Sequence, residues 1–228
     1  MYTNVNLAAP LGVMALLGTG FLMGTAGLIF VYTILTRKIL GTIAVLLSAS
    51  VILVLYLVAM LALSFSSSEQ VLVRGQEKHF CEIDCHLAYS ILDVRQTKTL
   101  GTPPNQVSAA GSFYVVQIKT RFDETTINPN RGNGLLTPNG RVATVIDGQG
   151  RQYATSPAGE RALAQVEGTG KPLTTPVRPG EFYTTSLVFD LPVGVDNPTL
   201  LINESEMVTH LVIGHENSLF HKKVRFQL

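Results

Sequence analysis

The sequence predicts an N-terminal two-helix transmembrane hairpin followed by an all-β antiparallel sandwich. Three observations predict it. Two long stretches near the start carry no charge, and a single basic pair divides them. Beyond them, short segments alternate apolar and polar residues and are separated by turn-forming residues.

The first uncharged stretch runs from Leu11 to Thr36, and the second runs from Ile39 to Ser68. Each exceeds the roughly 20 apolar residues that cross about 30 Å of hydrocarbon. One rod over residues 11–65 would measure about 80 Å, more than twice that thickness. The chain must therefore reverse at Thr36-Arg37-Lys38, which places helices at about 11–35 and 39–65. Residues 1–10 contain no Lys or Arg and so lack the basic start of a secretory leader. The first helix is read as retained. Arg37 and Lys38 then place the turn on the cytoplasmic side and both termini outside.

Gly20 and Gly24 form a small-x-x-x-small pair in the first helix, a face expected to pack on the second. The second helix, mostly Leu, Val, Ile and Ala, reads as a lipid-facing anchor. Residues 66–77, with Ser66-Ser67-Ser68, are expected to be a linker.

Residues 78–228 carry the sandwich. Strands are expected at 87–95, 113–122, 141–146, 151–154, 182–191, 200–202, 208–213 and 223–228. In the second, Tyr114, Val116, Ile118 and Phe122 share one face. In the fifth, Tyr183, Thr185, Leu187, Phe189 and Leu191 do. Asp147-Gly148-Gln149-Gly150 reads as a hairpin turn. Ser156, Pro157 and Glu160 mark the start of one short helix, which ends before Gly168. Gly/Pro/Asn-rich stretches at 100–111 and 128–140 are expected to be loops.

That many short strands in about 150 residues suggest an immunoglobulin-like sandwich. The segment Thr185-Ser186-Leu187-Val188-Phe189-Asp190-Leu191-Pro192, and the ending from Gly214-His215-Glu216-Asn217-Ser218 through Phe226, resemble a known group. They are similar to the Ig-like extracytoplasmic domains of unknown function found in bacterial lipoproteins and membrane-anchored proteins. The resemblance covers roughly residues 85–228. It implies a binding or scaffolding module and no defined reaction. It also implies a bacterial inner membrane, with the C-terminal domain on the periplasmic or extracellular side.

His79-Phe80-Cys81-Glu82-Ile83-Asp84-Cys85-His86 gathers both cysteines and two of the five histidines. Thiolates and imidazoles suit copper or zinc. Cys81 and Cys85 could share a metal with His86, and with His79 as a fourth ligand, if the segment forms a loop or helical turn. In an extended strand the two sulfurs would stand about 13 Å apart along the chain. The alternatives are a local Cys81–Cys85 disulfide and a redox-active dithiol. The helical hairpin, β domain and Cys-x-x-x-Cys spacing are similar to cytochrome oxidase subunit II, but His86 follows Cys85 immediately and no Met lies close behind. Copper-delivery proteins of oxidase assembly share the spacing on a thioredoxin-like fold, which this sequence does not resemble. His210, His215 and His221 are expected to be solvated or simply hydrogen-bonded.

Without Arg37 and Lys38, the rest of the chain has 15 basic and 16 acidic residues, a near-neutral balance. Nucleic acid is therefore not an expected partner. The expected partners are the lipid bilayer and another membrane or extracytoplasmic protein. The sequence contains no Gly-x-Ser-x-Gly, phosphate loop or His-Glu-x-x-His. The leading expectation is an interaction or structural module without catalysis. The alternative is a copper- or zinc-binding protein tied to assembly of a membrane redox complex.

Overall fold

The computed structural model describes residues 2–3, 8–82 and 86–228, with side chains from Leu11 onward. In chain order the elements are β1 (Tyr2–Thr3), α1 (Ala8–Leu35), α2 (Ile39–Ser66), β2 (Gln70–Leu72), β3 (Lys78–Cys81), β4 (His86–Leu100), β5 (Val107–Asp123), β6 (Arg141–Ile146), β7 (Gln152–Tyr153), α3 (Pro157–Glu167), β8 (Phe182–Leu191), β9 (Thr199–Glu204) and β10 (Val224–Gln227). The chain forms two compact units. One holds the β-strands and α3. The other holds the helical hairpin through Ser68 together with Glu206–Lys222.

α1 and α2 are long and apolar enough to cross a membrane, and their most apolar windows are 0% and 6% buried. A buried core helix would show the opposite. The reversal between them is a Schellman closure. The Lys38 amide donates to the Thr33 carbonyl at 2.8 Å and the Arg37 amide to Ile34 at 2.9 Å. Arg37 takes a positive φ of 55°, the left-handed residue this motif requires. Gly41 lets α2 come close to α1, since a Cβ there would lie 3.2 Å from Thr33 Cγ2. The Gly20 and Gly24 face does not serve that purpose. A Cβ at either position meets no described atom within 4 Å, so the expected packing on α2 does not occur.

The strands form two five-stranded sheets, β1-β3-β4-β5-β8 and β2-β10-β9-β6-β7. One apolar cluster takes residues from both, including Phe80, Tyr89, Ile118, Phe122, Leu200 and Phe226. The faces expected for 113–122 and 182–191 are the observed ones: Val116, Ile118, Tyr183, Phe189 and Leu191 all join this cluster. A second cluster on the opposite face of β5 and β8 joins Phe113, Val115 and Val188 to Ala162 and Leu163 of α3. α3 starts as expected, with Ser156 Oγ accepting from the Gly159 amide at 3.2 Å, and it ends at Gly168 with φ 83°.

Four expectations need correction. The sheets are not wholly antiparallel, because β1 runs parallel to β3 and β2 parallel to β10. These pairs join segments far apart in sequence, so no tight hairpin dictates their direction. β2 also falls inside the stretch read as linker, and β5 begins at Val107, inside the stretch read as a loop. Finally, the strand expected at 208–213 is absent. Met207–Leu211 is a 3-10 helix belonging to the hairpin's unit.

Candidate functional site

β3, β4 and β5 lie side by side in fixed register. Cys81 pairs with His86 and His79 with Ala88. His86 pairs in turn with Asp123, and Ala88 with Arg121. Directly paired residues share a sheet face, and alternate residues return to it. One face therefore carries His79, Cys81, His86, Asp123 and Arg121. The other carries Lys78, Phe80, Leu87, Tyr89 and Phe122 into the core.

On the first face the groups form an ion cluster. Arg121 donates from Nε and Nη2 to the two Glu77 carboxylate oxygens at 3.0 and 2.8 Å. It also approaches Asp123 at 3.5 Å. His79 Nε2 lies 3.2 Å from Asp123 Oδ2 and 3.7 Å from Glu77 Oε2. The Arg121 hydrogen bond holds the Glu77 carboxyl below its ordinary value. Burial pushes Asp123 up, but the Thr125 hydroxyl and amide, Arg121 and His79 outweigh it and leave it lowered. Burial, with His79 nearby, lowers His86. Among the described residues, the buried Nδ1 atoms of His79 and His86 have no hydrogen-bond partner.

The structure thus brings three of the four expected site residues, His79, Cys81 and His86, onto one face. Cys85 lies outside the described residues, and so does any statement about its pairing with Cys81. Among the described residues, no group of three or more His, Cys, Asp or Glu is placed to hold a metal ion. Glu77, Arg121 and Asp123 went unassigned in the sequence. Asp123 lies 44 positions from His79 and Arg121 lies 44 from Glu77, so only the register joins them.

The opposite face holds a second charge network. The Arg141 side chain is fully buried, pairs with Glu82 and lies 3.6 Å from Glu204. Its guanidinium sits 4.4 Å from the centre of the Phe80 ring. Lys78, also fully buried, donates to the carbonyls of Ile202 at 2.8 Å and Val224 at 3.2 Å, tying β3 to the other sheet. Burial raises Glu82 despite Arg141. This network is structural: its groups are enclosed and their contacts run from sheet to sheet.

A cleft of about 750 Å³ opens beside β8. Its lining is rich in hydroxyls, including Thr144, Thr155, Thr184 and Ser186, with Glu160 and Lys171 adding charge. Burial raises Glu160. β8 is the last strand of its sheet. The Val188 carbonyl accepts from the Ser156 amide at 2.6 Å, so Val188 turns its backbone away from β5. Alternation turns the backbone of Thr184 and Ser186 the same way, towards the cleft. Among the described residues, no strand pairs with that edge at these two positions.

No family model matches this sequence, and no curated protein does. Among solved structures, the chain is similar to the secreted protein MPT63 from Mycobacterium tuberculosis. Identity is 13%, coverage is 71% of this chain and 98% of that one, and the TM-score is 0.42. It is similar also to the yjhA protein from Bacillus subtilis, with 11% identity, coverage of 70% and 99%, and a TM-score of 0.41. A conserved hypothetical protein from Bacillus anthracis has 11% identity, coverage of 58% and 92%, and a TM-score of 0.40. At these scores the likenesses assign neither fold family nor function.

Proposed function

We propose that this protein is a membrane-tethered interaction module: the hairpin anchors it, and an Ig-like β domain outside the cytoplasm receives an extended segment of another extracytoplasmic protein. The observation that carries the reading is the unpaired edge of β8 at Thr184 and Ser186, facing the hydroxyl-lined cleft. Exposed strand edges recruit added strands through main-chain hydrogen bonds, and natural proteins usually block them. Among the described residues no strand takes this edge, although Gly170 lies beside the Ser186 amide, and the neighbouring groups can bind a polar backbone. A photocrosslinking residue at Ser186 in the full chain is expected to give a discrete adduct in cells. Thr184→Pro should abolish that adduct, because it removes an edge N–H without touching the ladder to β5. An equal adduct from Val193, a distant exposed position, or one indifferent to Thr184→Pro, contradicts the reading.

A second reading, copper or zinc binding by Cys81, Cys85, His86 and His79, is favoured by the two buried imidazole nitrogens that have no partner among the described residues, on the face that carries Cys81. It predicts about one metal equivalent per purified chain, lost in Cys81→Ser. Equal metal content in parent and variant rules it out.

A further inference from the structure

We propose that Glu206–Lys222, the connection between β9 and β10, is a third membrane contact that lies in the outer lipid interface against the hairpin. The inference rests on the membrane-spanning reading of α1 and α2. The segment groups with the hairpin rather than with the strands it joins. It is fastened there at several points. The Tyr56 hydroxyl donates to the Leu211 carbonyl at 2.5 Å, and the Lys222 amide donates to Ser67 Oγ at 2.9 Å. Phe220 stacks on Phe65 with ring centres 5.8 Å apart. Gly12 of α1 sits so close that a Cβ there would come within 2.0 Å of the Ile213 carbonyl oxygen.

Tyr56 fixes the depth. It lies ten residues before Ser66, the last residue of α2, or about 15 Å down the helix axis at 1.5 Å per residue. The connection therefore descends alongside a helix whose length the bilayer must cover. Its polarity is also inverted relative to a soluble loop. His215, Glu216, Asn217 and Ser218 are buried, and they bond inward: the Asn217 amide donates to His215 Nδ1 at 2.9 Å, and Asn217 Nδ2 donates to Thr209 Oγ1 at 3.0 Å. Met207, Val208, Leu211, Leu219 and Phe220 point out, with Met207 82% and Phe220 69% exposed.

The backbone goes part of the way to meeting the requirement that lipid imposes. Irregular chain at this depth must satisfy its own amides. The amides of Thr209, Val212, His215, Ser218, Leu219 and His221 all donate within the segment. Phe220 holds a positive φ of 62°, rare for an aromatic residue, while presenting its ring outward. Apolar side chains outside, polar ones inside and a partly self-bonded backbone fit an acyl–headgroup boundary, where water can still reach the remaining amides.

The chain contains no Trp, so single substitutions report cleanly. Met207→Trp, Phe220→Trp, Val51→Trp in mid-α2 and Val193→Trp on the β unit would be made in the full chain. Each would be reconstituted in phosphatidylcholine–phosphatidylglycerol vesicles containing lipids brominated at shallow or deep acyl positions. Met207→Trp and Phe220→Trp should emit in the blue and be quenched most by shallow bromine. Val51→Trp should be quenched most by deep bromine, and Val193→Trp by neither. Quenching at Val51→Trp with none at positions 207 and 220 overturns the inference and leaves the membrane hairpin standing. Red emission would then place the segment in water, and blue emission against protein. No quenching at Val51→Trp removes the hairpin reading and this inference with it.

Discussion

Arg141→Ala is expected to cost the β unit about 3–5 kcal/mol, because it strands buried carboxylates beside an enclosed core. The Arg141 side chain has no exposed surface, and its partners Glu82 and Glu204 are nearly as enclosed. The side chain also covers Phe80 and Tyr89, so packing is lost with the charge. Denaturant unfolding of the full chain in detergent, followed by far-ultraviolet circular dichroism, would measure it. Arg141→Met with Glu82→Gln should lose less than the sum of the single changes, because the pair leaves together. The pH dependence has a defined sign. Burial raises the folded Glu82 value above its ordinary 4.5, so the folded state binds more protons in the window just above pH 4.5. Glu82's contribution to stability is therefore full below pH 4.5 and is lost as pH rises through the raised folded value. Removing Arg141 takes away a cation that lowers Glu82, which widens that window upward. A loss under about 1 kcal/mol, unchanged with pH, would show that the network is solvated rather than buried.

Much of the helical hairpin was legible because two long uncharged runs, divided by a basic pair, read directly as two long apolar helices. What the sequence could not show was which glycines matter. Gly12 and Gly41 make the close approaches, although Gly20 and Gly24 have the motif spacing. α3 was legible for a different reason. Its cap is local, and Ser156 needs only Gly159 to complete it.

The connection after β9 was misread because Val208-Thr209-His210-Leu211-Val212 alternates as a strand does. Contacts far away in sequence, such as Tyr56 with Leu211, override that pattern. The segment is instead a 3-10 helix whose Thr209 and His210 bond to Asn217. His215, expected to be solvated or simply hydrogen-bonded, is buried and accepts from the Asn217 amide. At the candidate site, the residue types in the 79–86 segment stood out. Their neighbours did not, because Asp123 meets His86 only through the β4–β5 register. Likewise Arg141 reaches Glu82 across 59 positions. The cleft had no sequence signal, since an open strand edge is defined by what fails to pair with it.

The central claim is that α1 and α2 span a bilayer and hold the β unit outside the cytoplasm. Its most direct measurement uses one sequence-specific protease site inserted between Arg37 and Lys38 and another inserted between Asn133 and Gly134, in separate full-length chains. Each would be tested in sealed spheroplasts and again after lysis. The account predicts an all-or-none contrast: the site at 133–134 is cut in sealed spheroplasts, the site at 37–38 is cut only after lysis, and the uncut chain stays with the membrane through an alkaline carbonate wash. Cleavage at 37–38 in sealed spheroplasts, protection at 133–134, or release of the uncut chain into the wash would contradict it.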